Sequence, residues 1–372
     1  MWRAAGTLAV ALVVACAGGP RATASRPEAG SAATRALDAA PGPPAATMTA
    51  TAGAATTSRP ADQEAPPEKS TLAIGAVLTG SLYLPLIVAD EAGYFAAHGL
   101  SVEVSGLAAS AAAQALVAGS VDMYLGGATA IAAHLAGNDV IYVGAAVDKS
   151  TLMLIGEPGI TTFPDFRGKT IATTSPGAFG EIALFQTAKE FGMRPGEDFA
   201  LNYSANSDTV YAVFLSGATQ GAITSPPSSL RLLDAGYPLV IDYYQRGLKI
   251  VGPGVSVTRA FTKTHPNTIK AFLRAYLDAT KRIFDDPAYA TDVTRRFTKV
   301  DDPKLLAQDY ELGQKVWNKD LTVDRAAIEV VLQNSPLPNA KDADPTDFYD
   351  NSLIGEVNAT YGARLFPELA RR

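Results

Sequence analysis

Hydroxyl side chains and glycines are concentrated in four short loops, each of which follows an apolar run typical of a buried strand. The loops comprise residues 79–83, 126–129, 174–178 and 224–227. In open α/β sheets, ligands bind beyond the carboxyl ends of the strands, where such loops lead into helix N-termini. Free N–H groups at helix starts bind the acceptor oxygens of a ligand. These four loops are therefore the predicted binding site for a small molecule.

Eight residues of these loops are predicted to contact the ligand through a hydroxyl group, a ring or the backbone. They are, in chain order, Ser81, Tyr83, Gly127, Thr129, Ser175, Gly177, Thr224 and Ser225. Two of the serines have a purely structural alternative. Ser175 precedes Pro176 and Ser225 precedes Pro226, which is typical of a serine N-cap followed by proline at the first helical position. Because four similar loops are expected to meet in one cleft, ligand contact is favoured.

The loops leave the charge of the ligand open. None of them contains Arg or Lys, so a strong anion is not required. Glu181, just after the third loop, would favour an amine or a neutral donor if it faced the cleft, but an acid there more often complements the helix dipole. Tyr83 and Tyr124 could stack on a ring, although tyrosines at such positions more often pack internally. An oxyanion and a planar heterocycle both fit the loops.

No arrangement of residues predicts catalysis, a metal site or a cofactor. The three histidines are His98, His134 and His265, and none has a second ligand at metal-binding spacing. The sequence contains neither a Gly-x-Ser-x-Gly nucleophile elbow nor a Gly-x-x-x-x-Gly-Lys-Ser/Thr phosphate-binding loop. The single cysteine, Cys16, allows no intrachain disulfide. We therefore expect a binding protein without catalytic residues, metal or cofactor.

The elements that position these loops are clearest between Val88 and Leu125. This stretch indicates two successive helix-to-strand units, with the first helix ending at Gly99 and the second at Gly119. Glycine adopts the left-handed conformation of a helix end at little cost. Alternating helices and short apolar strands predict an α/β fold with mainly parallel strands joined by helical crossovers.

Five segments carry a resemblance to a known family. They are residues 89–95 (ADEAGYF), 98–104 (HGLSVEV), 115–122 (ALVAGSVD), 163–172 (FPDFRGKTIA) and 265–273 (HPNTIKAFL). They resemble the nitrate/sulfonate/taurine-type solute-binding proteins of bacterial ABC importers, a branch that also contains thiamine-precursor binders. The resemblance implies a two-lobed periplasmic-binding-protein fold of type II, in which open sheets with flanking helices are joined by a hinge.

The lobes are assigned with the help of this resemblance. Residues 70–167 form the first part of lobe 1, and the strand at 152–155 is expected to extend its sheet. Residues 168–250 form lobe 2. Residues 251–372 return to lobe 1 and form a helical tail that packs on it. The two crossings are expected at residues 163–168 and 249–257.

The N-terminal residues indicate secretion and attachment to a membrane. Arg3 and the apolar run from Leu8 to Val14 are typical of a secretory signal peptide, predicted for residues 1–15. Residues 13–16 (VVAC) are similar to a bacterial lipobox, which implies that Cys16 is acylated. Residues 16–69 are rich in Ala, Thr, Pro, Gly and Ser, so we expect a flexible tether without a transmembrane helix.

Composition and family together predict the function. The net charge of −6 and a charged fraction of 18% provide no basic patch, so nucleic-acid binding has no support. We expect an extracytoplasmic, lipid-anchored and monomeric protein that captures a small polar solute or oxyanion for an ABC permease and its ATPase. The alternatives are a binding module that feeds a membrane sensor, and an enzyme built on the same fold. The family includes a eukaryotic enzyme with a cysteine-rich iron-binding motif, which this chain lacks.

Overall fold

The computed structural model describes residues 65–78 and 80–369. The predicted signal peptide, the acylated Cys16 and most of the tether lie outside the described residues, as does Thr79 of the first loop. The end of the predicted tether is held by the folded domain. The Glu68 carboxylate accepts hydrogen bonds from the backbone of Asn267 and Thr268 at 3.0 and 2.9 Å. The predicted tether, residues 16–69, therefore extends too far at its C-terminal end.

The described residues form ten strands and fourteen α-helices. The strands are β1 (Thr71–Ala76), β2 (Ser101–Gly106), β3 (Met123–Gly126), β4 (Val140–Ala145), β5 (Met153–Gly156), β6 (Thr170–Thr173), β7 (Ala200–Tyr203), β8 (Gly221–Thr224), β9 (Leu239–Asp242) and β10 (Gly254–Thr258). The helices are α1 (Leu84–Glu91), α2 (Tyr94–Ala97), α3 (Ala109–Val117), α4 (Thr129–Leu135), α5 (Phe179–Glu190), α6 (Ser207–Leu215), α7 (Ser228–Asp234), α8 (Arg259–Thr264), α9 (Pro266–Asp285), α10 (Pro287–Thr298), α11 (Pro303–Val316), α12 (Arg325–Asn334), α13 (Ser352–Val357) and α14 (Ala363–Leu365).

Two five-stranded sheets form the framework of two lobes. The first sheet has the order β2-β1-β3-β10-β4, in which β1 pairs in parallel with β2 and β3, whereas β10 runs antiparallel to β3 and β4. The second sheet has the order β7-β6-β8-β5-β9, with β6 parallel to β7 and β8. Helices flank both sheets, as expected for the predicted α/β class. The loops that are predicted to bind the ligand follow the carboxyl ends of strands in these two sheets.

The strand at residues 152–155 was assigned to the wrong sheet. It corresponds to β5, which pairs antiparallel with β8 and β9 of the second sheet. A short apolar strand carries no signal of its partner, because burial in either sheet selects the same residues. We therefore propose that the first crossing between the lobes lies between β4 and β5, ahead of the expected boundary at residue 167. The chain returns between β9 and β10, which overlaps the expected second crossing.

The stretch from Val88 to Leu125 has the predicted plan with one difference. Gly99 and Gly119 have positive φ angles of 76° and 72°, as expected for glycines at helix ends. The first helix is interrupted at Gly93, which has a φ angle of 73° and separates α1 from α2. A left-handed residue cannot continue a right-handed helix, so the single predicted helix becomes two.

The helical tail contacts both lobes rather than the first lobe alone. Helix α9 buries its apolar face against α1 and α2 of the first lobe. Helix α11 contacts α7 of the second lobe, where Lys304 forms an ion pair with Asp234. Helix α12 packs on α5, and Asp324 just before it pairs with Lys249 at 2.8 Å. The tail therefore connects the lobes in addition to the two crossings.

Within the described ranges, no helix has the length and apolar character needed to cross a membrane.

Candidate functional site

A cavity of about 140 Å³ lies between the lobes, at the carboxyl ends of the parallel strands. The first lobe contributes the residues after β1, β2 and β3, and the second lobe those after β6, β7 and β8. Both crossing segments complete the wall. The lining residues are Val77, Leu82, Tyr83, Ala109, Gly126, Gly127, Ala128, Thr129, Thr151, Leu152, Thr174, Ser175, Ala178, Phe179, Gly180, Ala205, Asn206, Ser207, Ser225, Ile250, Gly252 and Pro253.

The structure brings five of the eight predicted contact residues together around this cavity. They are Tyr83, Gly127, Thr129, Ser175 and Ser225. Some of their polar groups are engaged by the protein. The Thr129 hydroxyl lies 2.7 Å from the Tyr124 hydroxyl, and the Ser225 hydroxyl lies 3.1 Å from that of Ser207. The Gly127 carbonyl accepts a hydrogen bond of 2.6 Å from the Tyr142 hydroxyl. These bonds hold the loops in place at the ends of their strands.

The other three predicted contact residues do not line the cavity. Ser81 is buried in a one-turn 3₁₀ helix and donates a 2.5 Å hydrogen bond to the Asp309 carboxylate of α11. Thr224 is buried at the end of β8, and its hydroxyl donates to the Ser207 carbonyl at 3.4 Å. Gly177 turns the chain with a φ angle of 74°, and its N–H bonds to Glu181. Each of these groups bonds to another part of the protein and so stabilises the loop that contains it.

The interpretation of Ser175 and Ser225 as N-caps is wrong. Helix α5 begins at Phe179 after Ala178, and α7 begins at Ser228 after Pro227, without a side-chain cap in either case. The left-handed Gly177 delays the start of α5, and Pro226 and Pro227, which lack N–H groups, precede the start of α7 at Ser228. Both serines are therefore released from capping and line the cavity instead.

Glu181 and Tyr124 have structural roles. The Glu181 carboxylate accepts a 2.7 Å hydrogen bond from the Gly177 N–H and a second one from the Tyr203 hydroxyl. It therefore complements the start of α5 rather than facing the cavity. Tyr124 is fully buried, and burial raises the pKa of its phenol to about 12. Only Tyr83 of the two tyrosines lines the cavity.

Several lining residues were missed by sequence reasoning. Asn206 and Ser207 follow β7, so the rule used for the other loops could have found them if it had been applied to this strand. Phe179 stands one residue beyond the predicted third loop. Thr151 lies on the first crossing and could not be found, because the crossing was placed elsewhere. The Thr151 hydroxyl is buried and has no hydrogen-bond partner among the residues that the structure describes.

The two lobes touch at glycines that leave no space for a side chain. A Cβ atom added to Gly80 would lie 2.8 Å from the Pro226 carbonyl oxygen of the opposite lobe. A Cβ atom on Gly127 would lie 2.6 Å from Cδ2 of Phe179, which projects from the start of α5. Both distances are below van der Waals contact. The walls of the cavity therefore meet directly at these points.

The histidines lie away from the cavity. His98 pairs with Asp278 at 2.8 Å, the His134 Nδ1 lies 2.9 Å from the Val140 carbonyl, and His265 Nδ1 lies 2.7 Å from the Thr264 hydroxyl. No group of three or more potential metal ligands occurs among the residues that the structure describes. None of the described residues that line the cavity is charged. This arrangement suits binding of a solute through apolar contacts and a few hydrogen bonds.

Two mixed sheets with a cleft at their strand ends and two crossings define the two-lobed periplasmic-binding-protein fold. The sequence model of the family described as "NMT1/THI5 like" matches residues 82–290, more than half of the chain. The chain belongs to this family, which confirms the expected relationship.

A curated relative and two solved structures are similar to the chain. The relative is the 4-amino-5-hydroxymethyl-2-methylpyrimidine phosphate synthase of Schizosaccharomyces pombe, which is 27% identical over 222 residues. The match covers 55% of this chain and 63% of that protein, so the chain spans less than two thirds of the relative's length.

The first solved structure is the periplasmic nitrate-binding protein NrtA of Synechocystis PCC 6803. Its TM-score is 0.67 at 16% identity, over 80% of this chain and 91% of that one. The second is the alkanesulfonate-binding protein SsuA of Xanthomonas axonopodis pv. citri bound to MOPS, with a TM-score of 0.63 at 16% identity, over 78% and 98%. At these identities the likeness shows the fold alone, and it confirms the predicted class.

Proposed function

We propose that the chain is the extracytoplasmic solute-binding component of an ABC importer. It captures a small organic solute or oxyanion between its lobes and presents the closed form to a permease and its ATPase. The observation that carries this proposal is the cavity walled by the strand ends of both lobes and by both crossings. A solute that contacts both lobes stabilises the closed arrangement, because a ligand shifts an equilibrium only through its differential affinity.

The proposal predicts that substitutions at Ser175 and Ser225 weaken solute binding without unfolding the protein. Both line the cavity from the second lobe, and neither caps a helix. Replacing both with alanine removes roughly 0.5–1.5 kcal/mol per hydrogen bond, which corresponds to an affinity loss of about 5- to 150-fold for the pair. Calorimetric titration with a solute found by thermal-shift screening measures this loss.

The matched control is Ser216→Ala, because Ser216 is an exposed serine of the same lobe whose hydroxyl donates to the Val213 carbonyl. It should bind with the affinity of the wild type. If the Ser175→Ala, Ser225→Ala double variant bound the solute with unchanged affinity, the assignment of this binding site would be wrong.

The lipid anchor is a separate part of the proposal. It is supported by the lipobox-like residues 13–16 and by the absence of any other cysteine in the sequence. Cys16→Ala should release the protein from the membrane fraction into the soluble fraction, since one lost acylation site removes the whole anchor. Fractionation of cells that express each form measures how much protein sediments with the membranes. Ser31→Ala is the control, and we expect this variant to stay in the membrane fraction. A Cys16→Ala protein that still sediments with membranes would contradict acylation.

An enzyme on this fold is the second candidate, and the match to the pyrimidine phosphate synthase is the observation that favours it. The cavity offers no carboxylate, lysine or histidine side chain among its described lining residues, so proton transfer there would depend on hydroxyl groups such as that of Tyr83. We therefore propose binding without turnover. Recovery of a bound solute chemically unchanged supports this proposal, and its conversion would support the enzyme.

A further inference from the structure

The buried face of helix α11 contains one charged residue, Asp309, among apolar neighbours. The buried residues of this helix are Leu305, Leu306, Asp309, Gly313 and Val316, which follow the three- and four-residue spacing of a single helical face. Asp309 is 1% exposed. Burying a carboxyl group costs free energy, so packing of the helix alone does not favour an acid at this position.

The same face of α11 packs against the second lobe on both sides of Asp309. Before it, the buried cluster that contains Leu305 and Leu306 packs against Leu230 of α7. One turn after it, Leu312 packs against the apolar core of the second lobe, to which β5, β6, β8, α6 and α7 contribute. Asp309 therefore occupies a fixed place relative to the second lobe.

From this place Asp309 holds a turn of the first lobe. Its carboxyl group accepts the 2.5 Å hydrogen bond from Ser81, which is 4% exposed and begins the 3₁₀ turn Ser81–Tyr83. The second carboxyl oxygen of Asp309 is buried and has no hydrogen-bond partner among the residues that the structure describes. The bond to Ser81 is therefore the contact that offsets the burial of this acid.

The turn that Asp309 holds is part of the cavity wall. Leu82 and Tyr83, its other two residues, line the cavity. Gly80, directly before the turn, lies so close to the second lobe that an added Cβ atom would be 2.8 Å from the Pro226 carbonyl oxygen. Two contacts therefore fix the turn relative to the second lobe. One is the Gly80 backbone against the loop after β8, and the other is the Ser81 hydroxyl on α11.

We propose that Asp309 is a positioning residue for solute capture, which acts through Ser81 and keeps the cavity-lining part of the turn at a fixed distance from the second lobe. This role rests on the proposed function, because it requires that the cavity takes up a solute. Without the bond to Asp309, the first-lobe wall moves away from the second-lobe wall. A solute between the lobes then loses contacts on one side and dissociates faster.

Hydrogen exchange of the purified protein without solute tests the position of the turn. In Ser81→Ala, in Asp309→Leu and in the double variant, the amides of residues 80–84 should exchange at least about fivefold faster than in the wild type, while those of β1 and β3 keep their rates. Asp309→Asn keeps an acceptor oxygen for Ser81, so it should exchange like the wild type. Unchanged exchange at residues 80–84 in the three other variants would overturn the proposed role.

The double variant separates positioning from stability. Replacing both partners of a buried hydrogen bond with apolar groups can be neutral or stabilising, so it should unfold at a higher temperature than Ser81→Ala. Its affinity should nevertheless stay about tenfold below that of the wild type, and no lower than in the single variants. Asp309→Asn should retain the wild-type affinity. The matched control is Glu311→Leu, since Glu311 is an exposed acid of the same helix.

Affinity is measured by calorimetry at neutral pH with the tightest binder among nitrate, taurine, methanesulfonate and cytosine. If the affinity of the double variant recovers together with its stability, Asp309 has a structural role only and the proposed one is wrong. Failure of all four probes to bind the wild type at millimolar concentration counts against the proposed function. The exchange measurement needs no solute, so in that case it still decides whether Asp309 positions the turn.

Discussion

Gly127→Val is expected to reduce solute affinity by at least 100-fold while both sheets stay folded. Gly127 lies in the loop after β3, lines the cavity, and faces Phe179 across the cleft. A Cβ atom at this position would lie 2.6 Å from the Phe179 ring, so a branched side chain displaces the ring or keeps the lobes apart. Both results remove contacts that the solute makes only in the closed arrangement. Calorimetry on the variant and the wild type measures the loss.

A second substitution shows whether the contact with Phe179 is the cause. Phe179→Ala alone should weaken binding, because an aromatic wall of the cavity is lost. Combined with Gly127→Val, it should cost less than the sum of the two single losses, because the alanine removes the steric conflict. Gly355→Val is a control for replacing a glycine with valine, since Gly355 is exposed, has no positive φ angle, and a Cβ atom there meets nothing within 4 Å. Strict additivity of the two cleft substitutions would contradict the proposed contact.

Asp309→Asn is expected to change how stability depends on pH. Burial raises the pKa of the Asp309 carboxyl from 3.8 to about 7, and only one of its oxygens is hydrogen-bonded, by Ser81. Between pH 4 and pH 7 the unfolded chain releases this proton while the folded protein retains it. Its contribution to stability is therefore full below pH 4 and is lost as the pH rises through about 7. Over three pH units the loss amounts to about 4 kcal/mol.

The Asn variant cannot ionise, so this part of the pH dependence disappears. We expect it to be less stable than the wild type at pH 4, where it buries an unpaired amide, and more stable at pH 8. Chemical denaturation across this range measures the difference between the two proteins. The matched control is Asp301→Asn, since the Asp301 side chain is 83% exposed two residues before α11 begins. A difference that is the same at pH 4 and pH 8 would refute the assigned role of Asp309.

Much of the cleft could be predicted because it depends on sequence patterns within single strands and the loops that follow them. Apolar runs such as those of β1, β3 and β6 indicate buried strands, and the helices between them require parallel pairing. The position of the loops at the strand ends then follows without knowledge of the tertiary structure. This reasoning located Gly127, Thr129 and Ser175 on the cavity wall. Applied to β7, it would also have located Ser207.

The parts that could not be predicted depend on contacts between distant residues. Ser81 was assigned to the ligand because nothing near it in the sequence indicates its bond to Asp309, 228 residues away. The pairing of β5 with β8 and β9 depends on how the chain crosses between the lobes. Because that crossing was misplaced, Thr151 was overlooked, although it carries the one buried hydroxyl of the described cavity wall that lacks a partner.

The most direct test of the central claim is a crystal structure of the protein with the solute that stabilises it most. We expect the solute to lie between the loops at residues 126–129 and 174–178, with Tyr83 and Phe179 against it. A different depression of about 340 Å³, lined by Glu190, Arg246 and Lys249 among others, lies near the C-terminal end of α5. Solute bound there, or on one lobe alone, would contradict capture between the lobes.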